Sequence, residues 1–369
     1  MKVLLINNGK GWSGGQEHLK DLAIELRNNG VEVHFLVRQD TVNETRFAEL
    51  GFPVHLTPYT YGWNSAAVFF SLVAMLRRER FDIVSINREH DLALAVVSYR
   101  CAFPFGSPGR LMMSYHLPTD HYQLFLNAVD AVVCISEHVQ TKLLRRSPAM
   151  ASRTTILYYG ITLPPPPDSS KFTADRPRRY LRNFSFPIIG MVGEFWKNQI
   201  EMIEMLPQLK QEFPEIHLVF IGNNKARDLV EPLEARAREL GVEKNIVFTG
   251  LVPREQIQNI FYDLDLSVTT HRNEGFGIVH LESLAAGTPV VAFNEGGFVD
   301  IFNGEDVGVI IDGGTADFAT ATGALLIDNE RRFNMGRSGY ALVEKRYTIK
   351  VMGQTYLNFY RSLLGSATS

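Results

Sequence analysis

Short runs of β-forming residues alternate with stretches of helical spacing almost from one end of the chain to the other, and this alternation constrains the fold more than any other feature. In the first half the runs are Val3–Ile6, Val31–Val37, Ile83–Ile86, Leu111–Met113, Ala131–Ile135 and Thr155–Leu157. In the second half they are Ile188–Val192, His217–Ile221, Ile246–Thr249, Leu266–Thr269, Pro289–Ala292 and Val307–Ile311. Between them lie helical stretches such as Glu17–Asn28, with Leu19, Leu22, Ala23 and Leu26 on one face. A strand that is apolar on both faces has to be covered on both. Strands separated by helices therefore predict parallel sheets with helices on each side. A chain of 369 residues exceeds one usual domain of ~100–200 residues, and the pattern runs through twice. The fold class is α/β, with two Rossmann-like, doubly wound parallel-sheet domains.

The break between them falls at Pro164-Pro165-Pro166-Pro167 followed by Asp168-Ser169-Ser170, which cannot continue a helix or join a sheet and reads as a stiff extended linker. This sets an N-terminal domain at 1–166 and a C-terminal domain at 167–350. A last helix, about 351–369, is expected to pack back on the first domain, because Tyr356, Phe359 and Tyr360 need a surface to bury against. The net charge of −3 argues against nucleic acid as a partner. Cys101 and Cys134 sit beside apolar residues and read as buried thiols rather than a disulfide scaffold. The opening MKVLLINN is too short for a signal peptide, and no later run reaches the ~18 apolar residues of a membrane span. The expected location is the cytoplasm, with any membrane contact peripheral. The segment Lys171–Arg182, with five positive charges and one negative, reads first as a solvated face and second as a phosphate or membrane-surface contact.

A small pattern recurs at Phe81-Asp82-Ile83-Val84, Val129-Asp130-Ala131-Val132 and Leu264-Asp265-Leu266-Ser267. Each places an Asp immediately before a buried strand, where its carboxylate can meet backbone donors. Asp263-Leu264-Asp265 also spells the DxD with which some sugar transferases hold a divalent metal. Because Leu264 and Leu266 look like core, and the pattern repeats elsewhere, no metal site is assigned.

Ligands of open α/β sheets bind at the carboxyl ends of the strands, against helix N-termini. Three loops qualify. The first, Asn7 to Gln16, carries Gly9, Gly11 and Gly14 in a G-x-G-x-x-G, a fingerprint of dinucleotide binding with Asp40 as a distant ribose acid. Gly14 and Gly15, directly before the helix, would let backbone amides approach an anion or sugar. The second, Ser114-Tyr115-His116-Leu117-Pro118, places His116 at the end of a core strand. The third is the strongest signal: Glu274-Gly275-Phe276-Gly277-Ile278-Val279-His280-Leu281-Glu282. Glu274 falls in a loop, Glu282 lies along the helix that follows, and the helix start offers free amides and a positive dipole end to a diphosphate. Ala285 and Ala286 are expected to leave room for a bulky ligand. A buried Glu282 without a positive partner calls for a donor such as a ribose diol.

These residues resemble the retaining glycosyltransferases of GT-B fold, specifically family four, in which the two domains face each other across a cleft. The resemblance runs along nearly the whole chain. It includes Gly14-Gly15-Gln16-Glu17, His116, Cys134-Ile135-Ser136-Glu137, Tyr159-Gly160-Ile161, Gly193 to Lys197, Glu274 to Glu282 and Gly296-Gly297. It implies that Lys197 pairs with the donor diphosphate, that the amides of Gly275, Phe276 and Gly277, with Ile278 following, line the anion or the sugar, and that Gly193 lies in the phosphate loop. It implies further that Glu282 holds the ribose, Glu274 the transferred sugar and His116 the sugar or phosphate, with Gly250 and Leu251 beside the base.

The implied donor is a nucleotide-diphosphate sugar, used as a substrate without a cofactor or a protein-bound metal. The acceptor is a glycan, a lipid-linked species or a small molecule, and Tyr59–Asn64 is a candidate aromatic platform for it. Two departures stand out: Glu194 occupies the place of the family's usual arginine, ahead of a shortened loop, and Asn223 and Asn224 replace a Gly-rich pair. A nicotinamide oxidoreductase, a sugar-nucleotide epimerase or hydrolase, and a non-catalytic nucleotide-binding relative stay open as alternatives.

Overall fold

The computed structural model describes residues 1–57, 66–119, 123–302 and 304–365. Tyr59–Asn64 lies outside them. The chain divides into two compact units, Met1–Gly160 with Ile349–Ser369, and Ile161–Thr348.

The first unit holds a seven-stranded sheet in the order β3-β2-β1-β4-β5-β6-β7. Its strands are β1 (Lys2–Asn7), β2 (Glu32–Arg38), β3 (Val54–Thr57), β4 (Ile83–Ile86), β5 (Arg110–Tyr115), β6 (Ala131–Cys134) and β7 (Thr154–Ile156). The second holds a six-stranded sheet in the order β10-β9-β8-β11-β12-β13. These are β8 (Ile188–Val192), β9 (His217–Ile221), β10 (Ile246–Gly250), β11 (Leu266–Thr269), β12 (Val290–Phe293) and β13 (Gly308–Ile311). Every pairing in both sheets is parallel. The strand order reverses beside β1 in one sheet and beside β8 in the other, as a doubly wound fold requires. The α/β class follows directly from the alternation in the sequence. β3 is the strand that the alternation misses: it is a short edge strand whose Val54, His55 and Leu56 stay partly exposed, so it lacks an apolar run.

The recurring Asp is a strand-start clamp. Asp82 accepts the amide of Lys2 at 2.6 Å, Asp130 that of Leu111 at 2.8 Å, and Asp265 that of Ile188 at 2.7 Å. In return the Asp amides donate to the carbonyls of Lys2, Leu111 and Ile188. Each pair of bonds sets the register between two parallel strands where the ladder begins.

The basic segment is a strap over the second unit rather than a solvated face. Lys171 is buried and donates to the carbonyls of Tyr262 (2.7 Å) and Leu264 (3.0 Å) and to the Thr288 hydroxyl (2.7 Å). Arg176 and Arg178 pair with Asp265, whose side chain is fully buried. Asp263 accepts the amides of Arg179, Tyr180 and Leu181 at 2.6–2.7 Å. Both carboxylates of the DxD are thus engaged in holding this strap.

The proline run is not a free linker. The division falls at Gly160 and Ile161, ahead of the expected boundary at 166. Pro164 accepts a hydrogen bond from Tyr340 at 3.1 Å, and Pro167 packs beside Gly287. The chain enters and leaves the second unit side by side, where the Ile161 amide donates to the Tyr347 carbonyl at 2.8 Å.

The last helix, Ile349–Gly365, belongs to the first unit. Met352, Tyr356, Leu357 and Tyr360 are buried in one core with Leu19, Leu22 and Leu26 of the helix Gly14–Asn28. Gly353 permits this approach, since a Cβ there would lie 2.5 Å from that of Glu25. Cys134 is buried, but Cys101 is exposed, against the expectation of two buried thiols. It falls near the end of the helix Leu92–Ala102, on a face its apolar neighbours do not share. No helix among the described residues is long and apolar enough to cross a membrane.

Candidate active site

In the second unit the loops that follow β8, β9, β10, β11 and β12 carry the predicted residues. Glu274 lies in the loop after β11, and Glu282 on the helix Ile278–Ala285. Gly277 caps that helix at φ 88°, a left-handed conformation that favours glycine. A Cβ on it would also lie 2.4 Å from the His280 ring. Gly275, Phe276 and Gly277 are all buried. Gly297 donates its amide to the Glu274 carbonyl at 2.8 Å, so the Gly296-Gly297 loop after β12 backs the Glu274 loop.

Lys197, in the loop after β8 that begins with Gly193, reaches Glu274 with Nζ 2.5 Å from Oε2. Both side chains are largely enclosed, 16% and 18% exposed, which makes this a partly desolvated ion pair. Burial alone would raise the Glu274 carboxyl. The charge and hydrogen bond of Lys197, helped by His280 and His271, outweigh it and hold the carboxyl below its usual value. The lysine loop is fixed from both sides. Thr270 donates to the Asn198 carbonyl at 2.6 Å, and Glu201 accepts from Asn198 (2.8 Å) and Arg272 (2.7 Å).

Glu282 does have a positive partner: Arg254, which opens the helix Arg254–Asp263, forms an ion pair with it. The guanidinium is mostly exposed and the carboxylate mostly buried. Gly250, left-handed at φ 72°, packs against the Asn224 side chain, and Leu251 next to it is exposed. Glu194 is exposed, and it is its carbonyl, not its carboxylate, that is engaged, accepting from Gln199 at 2.7 Å. Ala285 and Ala286 are buried, in the wall of a pocket lined also by Pro164–Pro167, Asn259 and Tyr262. His280 is buried with Nδ1 lacking a hydrogen-bond partner, and burial lowers its pKa to about 4. Burial lowers His271 as well. Arg254, His271 and His280 escaped the sequence reading. Arg254 carries no local signal, whereas His280 stands inside the Glu274–Glu282 motif.

In the first unit the loop after β1 is pinned by asparagines. Asn7 accepts from the Gly9 amide (3.1 Å) and from Gln16 (3.3 Å), and Asn43 donates to the Gly9 carbonyl (2.7 Å). Asn8 gives two hydrogen bonds of 3.1 Å to Asp91. The Gln16 side chain reaches back over the start of the helix Gly14–Asn28, where its Oε1 accepts from the Ser13 amide (3.0 Å) and the Ser13 hydroxyl (2.6 Å). A Cβ on Gly11 or Gly15 would meet nothing within 4 Å, so packing within the protein does not require glycine at either position.

His116 follows β5. Its Nδ1 lies 2.5 Å from the Tyr159 hydroxyl, and its Nε2 lies 3.4 Å from Asn87 Oδ1. Burial lowers its pKa to about 4. His18, from the helix Gly14–Asn28, stacks on Tyr159 with ring centroids 3.9 Å apart. In the second unit Gly193, Lys197, Glu274 and Gly275–Gly277 thus stand in loops, Ile278 and Glu282 on the helix that follows, and Gly250 and Leu251 at the end of β10. In the first, Gly14 and Gly15 open the helix Gly14–Asn28 and His116 follows β5.

Glycine-bearing loops, a lysine and two glutamates at the carboxyl ends of parallel strands define an α/β protein of the doubly wound, ligand-binding class. The family is equally definite. Residues 177–342 match the model for glycosyl transferases group 1, and residues 12–163 match that for glycosyltransferase family 4. The chain belongs to the group 1, family 4 glycosyltransferases. It is 30% identical over 188 residues to the D-inositol 3-phosphate glycosyltransferase of Corynebacterium jeikeium, a stretch covering 47% of this chain and 45% of that one. It is 31% identical over 192 residues to the GDP-mannose-dependent alpha-(1-6)-phosphatidylinositol monomannoside mannosyltransferase of Mycolicibacterium smegmatis, covering 48% and 50%. The chain spans about half the length of these curated relatives. Its fold is similar to that of Anabaena Alr3699/HepE, solved in complex with UDP, with a TM-score of 0.83 at 20% identity over 98% of this chain and 100% of that one.

Proposed function

We propose that the protein is a retaining hexosyltransferase that moves a sugar from a nucleotide-diphosphate donor to a glycan, a lipid-linked species or a small molecule. The observation that carries this reading is the Lys197–Glu274 ion pair beside the glycine-capped helix that bears Glu282. A lysine ammonium has three donors and spends one on Glu274, which leaves two for a diphosphate. Buried Gly275–Gly277 lead into the helix Ile278–Ala285, whose positive dipole end suits the same anion. In this reading Gly193 opens the phosphate loop, and Ile278 follows the amides at the anion. Glu282 holds the ribose diol in exchange for Arg254, Glu274 holds hydroxyls of the transferred sugar, and Gly250 and Leu251 flank the base. Gly14, Gly15 and His116 act on the ligand from the first unit.

The bond between the anomeric carbon and the phosphate oxygen breaks while the acceptor oxygen bonds to that carbon on the same face. The acceptor's proton passes to the departing phosphate oxygen. Lys197 and the helix amides stabilise the charge that develops there, and no resident metal enters the scheme. Likeness to transferases acting on inositol phosphates and lipid-linked mannosides supports a polyhydroxy acceptor. In this reading the protein works in the cytoplasm, with any membrane contact at its surface.

A thermal-shift panel of UDP, GDP and ADP, their sugars and NAD(P)H tests the reading. A ligand that binds only the folded state adds ~2.7 kcal/mol at a hundred times its Kd. The expected result is a shift with one nucleotide series, lost in Glu282→Ala, together with sugar transfer that survives EDTA. A shift with NAD(P)H alone would overturn it.

A further inference from the structure

The surroundings of His116 decide where its proton sits. Asn87 and Tyr159 of the first unit lie against its two ring nitrogens, and the orientation of Asn87 is fixed by other bonds. Asn87, just past β4, donates its side-chain amide to the Ser85 carbonyl at 3.0 Å and to the Ile6 carbonyl at 3.4 Å. Turning that amide over would set its oxygen against two carbonyl oxygens, so Oδ1 faces His116. An oxygen facing Nε2 across 3.4 Å calls for a proton on Nε2. Nδ1 then keeps its lone pair, and the Tyr159 hydroxyl, 2.5 Å away, is the donor that fills it. Tyr159 is itself buried and packed against the His18 ring, with centroids 3.9 Å apart and the ring planes tilted by 31°.

We propose that Asn87 and Tyr159 are positioning residues that hold His116 as the neutral Nε2–H tautomer, so that it acts on the ligand as a hydrogen-bond donor through Nε2 and not as a base. The contact to Asn87 is long for a hydrogen bond, and the Nε2 proton can therefore be shared with a sugar hydroxyl or a phosphate oxygen. Without a lone pair at Nε2, the ring cannot take the acceptor's proton there, and that proton is left to the departing phosphate oxygen. The role toward the ligand rests on the transferase reading above; the tautomer does not.

Two measurements separate these parts. In full-length protein labelled with 15N-histidine, long-range 1H–15N spectra at pH 7, assigned with His116→Asn, should show His116 with a bare Nδ1 and a protonated Nε2. Tyr159→Phe should keep the proton on Nε2 and move the Nδ1 resonance toward that of an unbonded lone pair. Asn87→Leu should transfer population to the Nδ1–H form. An Nδ1–H ring or an imidazolium in the unmodified protein overturns the proposal, even if neither variant folds. In transfer assays His116→Gln, which places an amide donor near the Nε2 position, should retain several-fold more kcat/KM than His116→Asn, which places it near Nδ1. Equal losses, or a better Asn variant, overturn the donor role. An Nε2–H spectrum from a protein that transfers no sugar overturns the transferase reading and leaves the tautomer standing.

Discussion

Charge at single side chains carries most of the chemistry here, and Lys197 is the sharpest case. It already neutralises Glu274, so replacing it leaves a partly buried carboxylate alone in addition to removing the cation. Lys197→Ala is expected to lower the transfer rate by ~10²–10³, the usual cost of removing one preorganised donor; unchanged turnover in steady-state assays would take Lys197 out of the mechanism. The histidines make a prediction about pH. His116 and His280 titrate at about 4 in the folded protein against an ordinary value of 6.5, and His18 is lowered as well. Between those values the unfolded chain binds protons that the folded chain refuses, so stability falls as pH drops from about 6.5 toward 4 and is insensitive to these groups above that window. Glu274 adds to the loss at the acid end, because a carboxyl held below its usual 4.5 stabilises the fold only while it stays ionised. Thermal melts from pH 7 to pH 4.5 should therefore show a falling midpoint. A flat profile would mean that these imidazoles charge without unfolding the chain.

At the scale of elements, the strap 171–181 and the two aspartates before β11 form one structural unit. Asp265 has no exposed side-chain surface and pairs with both Arg176 and Arg178 while fixing the first residue of β8. Breaking a buried pair by removing one charge usually costs ~3–5 kcal/mol. Asp265→Asn should unfold the second unit at a lower denaturant concentration, and added Mn²⁺ should not restore it. Rescue by the metal would instead revive the DxD as a metal site. The helix Ile278–Ala285 is the other decisive element. Its left-handed Gly277 cap turns the chain so that Glu274 falls in a loop and Glu282 on the helix, with the helix start between them.

At the scale of the whole molecule, the chain builds one unit, crosses to a second and returns to finish the first with its last helix. The second unit is therefore continuous in sequence, from Ile161 to Thr348, and holds every residue proposed to grip the nucleotide. Hydrogen exchange with and without the stabilising nucleotide should slow the amides of 193–198, 250–251, 275–278 and 296–297. Protection confined to 7–16 would place the nucleotide at the first glycine loop and favour the dinucleotide reading.

The alternation of apolar runs and amphipathic stretches was enough for two doubly wound sheets, because a strand buried on both faces leaves no other solution. The spacing of Glu274 and Glu282 was enough to place one glutamate in a loop and the other on the helix after it, because a glycine turn between them is a local arrangement; the site they are proposed to form rests on that placement. The edge strand β3 escaped this reading because an edge strand need not be apolar. What tertiary structure alone decided are pairings between residues far apart in the chain: Lys197 with Glu274, Arg254 with Glu282, His116 with Tyr159 and Asn87, and Asp265 with the strap. A carboxylate or imidazole has the same local pattern whether its partner is a cation, a hydroxyl or water, and only the folded chain brings that partner within reach.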